Sequence, residues 1–333
     1  MKYLVTGGSG FIGSHLCERL LADGHSVLAL DDLSTGRYDN IAHLDGRSGF
    51  EFRMASVTDP GVVEPCVVQC QAVFHLASAV GVRLVVDEPV KTIETIVGGT
   101  DVVLKACASY RRPILITSSS EVYGKSEKVP FSEGDDCVMG PTTTRRWAYA
   151  CAKALDEFLA LAHWHQARLP VVVARLFNTV GPRQTGRYGM VIPRFVAQAL
   201  AGEPLTVYGN GTQTRSFAHV ADVVNALITL LGHPEATGEV INVGNDEEVT
   251  ILSLAERVRI LTGSKSVIRL VPYSEAYTAG FEDMLRRVPD LTKLRRMIGP
   301  RPSHTLDQIL ADVVADQRRH LARERRSEAA VES

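Results

Sequence analysis

The sequence predicts an α/β protein: a doubly wound parallel sheet followed by a smaller, mixed C-terminal domain. Three observations carry this. Short apolar strands alternate with helix-length patterns through the first half, a glycine-rich turn joins the first strand to the first helix, and the chain becomes loop-rich after Leu176. Strands separated by helix-length segments need crossover connections, which build a parallel sheet covered on both faces. A chain of 333 residues that is 45% hydrophobic can bury a core of this size.

The first strand is Tyr3 to Thr6. Gly7, Gly10 and Gly13 follow at the spacing G-x-x-G-x-x-G, with Phe11 and Ile12 inside the turn and the helical pattern Ile12, Leu16, Leu20, Leu21 beyond it. Residues without a Cβ let the backbone approach a pyrophosphate at the positive end of the helix, which is the dinucleotide-binding Rossmann arrangement. The second strand, Ser26 to Leu30, ends in Asp31-Asp32. An acidic residue there hydrogen-bonds the adenosine ribose and repels a 2'-phosphate, so the expected cofactor is NAD rather than NADP. Further strands are expected at Phe50 to Arg53, Ala72 to His75, Ile114 to Ser118 and Val171 to Leu176.

Beyond Leu176, the loops 181–189 and 205–211 are expected over the carboxyl ends of the strands, where open parallel sheets bind ligands. Helices are expected at Ile192 to Ala201, at Val220 to Leu231, which returns to the sheet, and at Thr250 to Thr262. Val240 to Val243 reads as one more strand, and 303–319 as a final amphipathic helix. The charged end beyond Arg323 has little apolar content and is expected to fray. The division that follows is a cofactor-binding domain at 1–176 with 212–244, a substrate-binding domain at 177–211 with 245–320, and a frayed tail at 321–333.

A formal net charge of −2 gives no electrostatic case for nucleic acid or an acidic membrane surface, and no apolar run is long enough to span a bilayer. The expected location is the cytoplasm. Six cysteines include one close pair, Cys66 and Cys70, and no C-x-x-C, so free thiols are expected rather than disulfides or a metal site.

Tyr149 and Lys153 stand four residues apart, so on a helix phenol and ammonium share a face. A nearby cation stabilises phenolate and lowers the tyrosine pKa, which suits a base for a sugar hydroxyl. The fifth strand runs out through Thr117-Ser118-Ser119-Ser120-Glu121, where Ser119 is placed to donate to the oxygen that Tyr149 deprotonates. The plain alternative for these serines is a capping turn.

These residues, with Asp31-Asp32-Leu33-Ser34-Thr35-Gly36, His75-Leu76-Ala77, Arg175-Leu176-Phe177-Asn178 and Gly181-Pro182-Arg183, resemble the extended short-chain dehydrogenases that modify nucleotide sugars. The resemblance covers roughly residues 2 to 315. It implies NAD held by Gly7, Gly10, Phe11, Ile12, Gly13, Asp31, Asp32, Ser34, Thr35, Gly36, Ser56, Val57, Leu76 and Ala77, together with Tyr149 and Lys153. Ser119-Ser120-Glu121-Val122-Tyr123-Gly124 is similar to the T-S-E-V-Y-G of UDP-glucuronate decarboxylases. Arg146-Trp147-Ala148-Tyr149 resembles the R-W-x-Y of the bacterial decarboxylase domain that makes a 4-keto-pentose, and Arg286-Arg287-Val288-Pro289 that group's basic-Arg-x-Pro segment.

The implied activity is decarboxylation of UDP-glucuronate through a 4-keto intermediate, giving UDP-4-keto-pentose, UDP-xylose or both. On this likeness Glu121 acts at the carboxylated end of the sugar and Arg287 holds or protonates it, since a carboxylate suits bidentate guanidinium recognition. Ser120 and Arg146 would face the sugar, Asn178 and Arg215 the diphosphate, and Tyr208 the uridine. The loop Ala79-Val80-Gly81-Val82-Arg83 resembles epimerases, which keeps a UDP-sugar 4-epimerase as the alternative; a silent NAD-binding protein on the same fold is a third reading. Relatives commonly pair through two helices per subunit, so a homodimer through the helices near Val102 and Leu155 is expected.

Overall fold

The computed structural model describes residues 1–78, 88–186, 190–272, 275, 286–299 and 304–331. Its centre is a seven-stranded parallel sheet: β1 (Lys2–Thr6), β2 (Ser26–Asp31), β3 (Phe50–Met54), β4 (Ala72–His75), β5 (Ile114–Ser119), β6 (Val171–Leu176) and β7 (Glu239–Val243). The strand order is β7-β6-β5-β4-β1-β2-β3. The direction of winding reverses between β1 and β4, and that reversal opens a crevice at their carboxyl ends. Register is carried through the centre by Val5 of β1, which stands opposite Ala29 of β2 and Phe74 of β4.

Except at the edge strand β3, the strands bury both faces, so alternate residues feed two separate cores. Val5, Ala29, Phe74, Leu115 and Ile241 pack against helices α1 (Phe11–Ala22) and, later in the chain, Val220–Leu231. Leu4, Leu28, Val73, Ile116 and Val173 face the other way, toward α2 (Pro60–Val68), α3 (Gly99–Tyr110) and α4 (Trp147–Ala167). The continuous apolar strands of the sequence follow from this double burial.

A third core joins α5 (Val191–Ala201), α7 (Ile251–Thr262) and α8 (Leu306–Val331) through Phe195, Leu254, Val258, Ile309 and Leu310, with Phe217, just ahead of α6 (Val220–Leu231), packed among them. Local signals set these helix ends. Thr250 Oγ1 accepts the Ser253 N–H at 3.1 Å to begin α7, and Gly263, at a φ of +69°, closes it in the left-handed region. Two small sheets lie above the crevice. In one, Thr214–Ser216 runs between Glu248–Thr250 and Arg286–Arg287, with Arg287 opposite Arg215. In the other, Leu205–Tyr208 pairs with Ile268–Val271.

The last helix differs from expectation. It begins at Leu306 and continues to Val331, through the stretch expected to fray. Leu306, Ile309, Leu310, Val313 and Val314 anchor its first turns in the core, and the Ala-, Glu- and Arg-rich residues that follow propagate a helix already nucleated. The loop Ala79 to Arg83 lies outside the described residues.

Candidate active site

A cavity of about 500 Å³ runs along the crevice from the glycine turn to Arg287. At its first end the turn leaves β1 with Gly7 at a φ of +70°, and a Cβ there would sit 2.8 Å from the Ala77 nitrogen. A Cβ on Gly13 would overlap the Gly7 carbonyl oxygen. Gly10 caps α1 without a side-chain hydrogen bond, so the first N–H groups of that helix face the cavity unclaimed by a side chain.

Asp31 and Asp32 divide their work. Asp31 is buried and braces the turn, its carboxylate accepting the Ser9 N–H at 3.0 Å and the Leu33 N–H at 2.8 Å. Asp32 is exposed and accepts the Ser34 N–H at 2.9 Å. Both line the cavity, with Phe11, Ile12, Ser34, Thr35, Val57, Leu76 and Ala77. Ser56 and Gly36 do not. Ser56 Oγ instead bonds Thr58 Oγ1 at 2.9 Å ahead of α2, and Gly36 is small because a Cβ would overlap Ser9 Oγ. Two residues that sequence reasoning missed, Arg37 and Asn40, also line this end; no local spacing marks them.

At the centre, Ser119 ends β5 and Tyr149 and Lys153 rise from the first turns of α4, all on the cavity wall. The Tyr149 hydroxyl bonds Ser119. The expected lowering of the Tyr149 pKa by Lys153 is not found. Burial pushes Tyr149 up, Glu121 and Asp156 add to this, and the Ser119 hydrogen bond and Arg287 oppose it without prevailing. Burial is the main cause; beside it, Lys153 Nζ donates to Asp156 Oδ2 at 3.1 Å, so an anion stands next to the cation.

Beyond Tyr149, Glu121 is held between two guanidinium groups. Arg287 Nη1 forms a short ion pair with Glu121 Oε1, and Arg146 Nη2 lies 3.3 Å from Oε2. Burial raises the Glu121 pKa, but Arg287 and then Arg146 outweigh it and hold the carboxyl below its ordinary value. Arg287 Nη2 also donates to Asn178 Oδ1 at 3.1 Å, and Asn178 Nδ2 to the Ser216 carbonyl at 2.9 Å. Ser120, buried beneath, completes this wall.

Arg215 and Tyr208 line the outer end. Arg215 is buried and donates to the Thr214 carbonyl at 2.8 Å. The Arg194 guanidinium, 4.1 Å from the Tyr208 ring centroid, stacks on it as a cation–π pair, a residue whose place on α5 gave no sequence signal. Outside the cavity wall, His219 and His304 stack at 4.1 Å beside Asp312. Their rings are only 25° apart, so the in-plane lone pairs do not converge on one ion, and His219 Nδ1 already accepts the Ala221 N–H at 3.2 Å.

A Rossmann sheet carrying a Ser–Tyr–Lys site and a second, guanidinium-lined compartment defines a dinucleotide-dependent enzyme of the extended short-chain dehydrogenase class. The chain belongs to the NAD dependent epimerase/dehydratase family, whose model matches residues 3–244. It is 40% identical over 314 residues to UDP-N-acetyl-alpha-D-glucosaminuronate decarboxylase of Bacillus cytotoxicus, covering 94% of this chain and 96% of that one. It is 37% identical over 310 residues to UDP-glucuronic acid decarboxylase 1 of Danio rerio, covering 92% of this chain and 70% of that one. The crystal structure of UDP-glucuronic acid 4-epimerase from Bacillus cereus, in complex with UDP-glucuronic acid and NAD, superposes with a TM-score of 0.86 at 26% identity, covering 96% and 99% of the two chains.

The cofactor is NAD. The residues present fit it: the glycine turn tolerates no Cβ, the α1 N–H groups are open to a pyrophosphate, and an exposed Asp32 stands at the end of β2.

Proposed function

We propose that this chain decarboxylates UDP-glucuronate in an NAD-dependent reaction through a 4-keto intermediate, releasing UDP-4-keto-pentose, UDP-xylose or both. The observation that carries the reading is Glu121 held between Arg287 and Arg146, in the same cavity as Ser119 and Tyr149. Such a compartment binds and discharges a carboxylate. The family relationship to decarboxylases of two UDP-uronates supports it.

On this reading NAD is held by the glycine turn, Asp31, Asp32 and Lys153, and supplies a hydride acceptor. Tyr149 takes the proton of the sugar 4-hydroxyl, and Ser119 holds the 4-oxygen. The oxidised sugar is a β-keto acid. Its C5–C6 bond breaks, carbon dioxide leaves, and the electron pair stays as an enolate across C4 and C5. Ser119 and Tyr149 face the enolate oxygen, and C5 is reprotonated from the Glu121–Arg287 side. Arg287 and Arg146 grip the carboxylate before it leaves. Arg215 and Asn178 take the diphosphate, and Tyr208 with Arg194 covers the base.

A second substrate, the 2-acetamido uronate, is favoured by the 40% identity to the Bacillus cytotoxicus enzyme. The test is mass spectrometry of the product after incubation with NAD⁺ and either UDP-glucuronate or UDP-N-acetylglucosaminuronate. A nucleotide sugar lighter by carbon dioxide, absent with Glu121→Ala, is expected. An unchanged mass with an inverted 4-hydroxyl would make the protein an epimerase and overturn the reading.

We also propose the two-part division drawn at 176, 211 and 244, a cytoplasmic location, and a homodimer. Supporting these are β7, which adds to the main sheet from residues 239–243; six cysteines without a disulfide; and an apolar strip on α4, where Leu155 and Phe158 are exposed. Light scattering of the purified protein measures the dimer, limited proteolysis the domain boundaries, and cell fractionation the location.

A further inference from the structure

Lys153 has a partner that its role does not require. Asp156, one turn further along α4, is 1% exposed and Lys153 is 3% exposed, and their contact is the 3.1 Å bond already described. A buried ion pair is a poor way to gain stability, since desolvation offsets the attraction. Burial raises the Asp156 pKa, while Lys153 and then the neighbouring Thr100 hydroxyl favour its charged form, and Asp156 Oδ1 has no hydrogen-bond partner. Glu157 cannot substitute, being fully engaged with Arg175 at 2.9 and 2.7 Å and with Ser118.

Behind the pair runs a line of buried groups. The Ala77 N–H donates to Thr6 Oγ1 at 3.2 Å, Thr6 Oγ1 lies 2.8 Å from His75 Nδ1, and His75 Nε2 lies 3.2 Å from Thr100 Oγ1. Thr6 Oγ1 thus meets both the Ala77 N–H and the His75 ring, and at the far end of the line the Thr100 hydroxyl reaches Asp156. Burial, with help from the Lys153 charge, lowers the His75 pKa to about 3, so the ring is neutral across the working range. The line begins at the cofactor loop, where Ala77 lines the cavity, and ends at Lys153.

We propose that Asp156 is a positioning residue of the Tyr149–Lys153 pair: it anchors the Lys153 ammonium against α3 and supplies the negative charge against which Tyr149 ionises. The proposal rests on the reading of Tyr149 as the base. Lys153 has three N–H donors, of which Asp156 takes one, leaving two for a ribose diol. Beside the larger effect of burial, Asp156 adds to the rise in the Tyr149 pKa.

The charged or titratable groups facing these residues are Lys153 and Glu157 on α4, His75 on β4, and Glu121 and Arg287 beside Tyr149, with the neutral Thr100 hydroxyl on α3. All remain in Asp156→Asn. Removing the anion eases ionisation of Tyr149. The limb of the kcat profile that reports Tyr149 is therefore expected to shift by about one pH unit to the acid side in Asp156→Asn. Thr100→Val, which keeps the carboxylate but removes its hydroxyl support, is expected to give a smaller shift in that direction. It decides the matter if Asp156→Asn does not fold.

A second readout needs no turnover: by calorimetry, NAD⁺ binding to Asp156→Asn is expected to be weaker than to the wild type, because the Lys153 ammonium has lost its anchor. Variants that lower kcat uniformly, with profile and binding unmoved, would reduce Asp156 to a structural part and overturn the proposal. Tyr149→Phe separates the two failures. If it is inactive while the Asp156 variants leave the profile in place, only the proposal falls; if it still turns over, the reading of Tyr149 falls too.

Discussion

Arg287 and Glu121 stand 166 positions apart in the chain and form one ion pair in the cavity. Truncating Arg287 leaves the half-buried Glu121 carboxylate with Arg146 alone and takes a guanidinium from the compartment. We expect Arg287→Ala to lower kcat/KM for a UDP-uronate by about 100-fold or more. Arg287→Lys should recover only part, because an ammonium is a point charge where this site uses separate Nη atoms for Glu121 and Asn178. Steady-state kinetics of the two variants check this, and full activity in Arg287→Ala would remove the guanidinium from the chemistry. Glu121 was recognisable in the sequence from its neighbours in the strand end. Asp156 was not, because an aspartate three residues after Lys153 on a helix looks like a solvated charge until the fold buries it.

Helix α4 carries two faces with different consequences. One presents Tyr149 and Lys153 to the cavity, while the other leaves Leu155 and Phe158 exposed, Phe158 by 72%. Residues 155 and 158 are three apart and share a face, and Ile93, itself exposed, lines a shallow groove with Leu155, Trp147 and Cys151. A strip of this kind on a 21-residue helix suits pairing with a second copy of the chain. We expect Phe158→Glu to convert a dimer to a monomer in light scattering while leaving the far-ultraviolet circular dichroism unchanged. An unaltered mass would exclude this face. At this scale the sequence was most readable: β4 and β6 and helix α6 have the bounds their apolar periods predict, since strand and helix periods depend only on near neighbours. The last helix runs past its expected end for the complementary reason, its continuation depending on a core anchor far from its tail.

For the whole molecule, packing three layers around the sheet traps histidines away from water. Burial, aided by Arg183, lowers the His15 pKa to about 4; burial, aided by Lys153, lowers that of His75 to about 3; and burial with His304 lowers that of His219. Unfolded histidines titrate near 6.5, so below that pH the unfolded chain binds more protons than the folded one. Stability from this source is therefore complete above about pH 6.5 and falls as pH drops toward the folded values, at about 1.4 kcal/mol per proton per pH unit. Melting temperatures across that window should fall steadily on acidification. A melting temperature constant from about pH 7 to about pH 5 would mean that these rings charge without unfolding. Arg183 shows how closely the parts interlock: its side chain reaches His15 at 2.9 Å, Glu18 at 2.6 Å and the Asn40 carbonyl at 3.0 Å, while its backbone N–H meets Asp316 of α8 at 2.9 Å.

By itself the sequence determined what local spacing can determine: the alternation of strands and helices, the turn where Gly7 and Gly13 leave no room for a Cβ, and the shared helical face of Tyr149 and Lys153. Each rests on a period of a few residues or on the stereochemistry of one turn, so no distant contact is needed to specify it. The tertiary structure alone decided which charge meets which. It joined Glu121 to Arg287, paired Lys153 with Asp156, turned Asp31 inward as a brace, and kept Ser56 from the cavity wall. Coulombic and desolvation energies depend on distance through space and on excluded water, and both are properties of the packed chain.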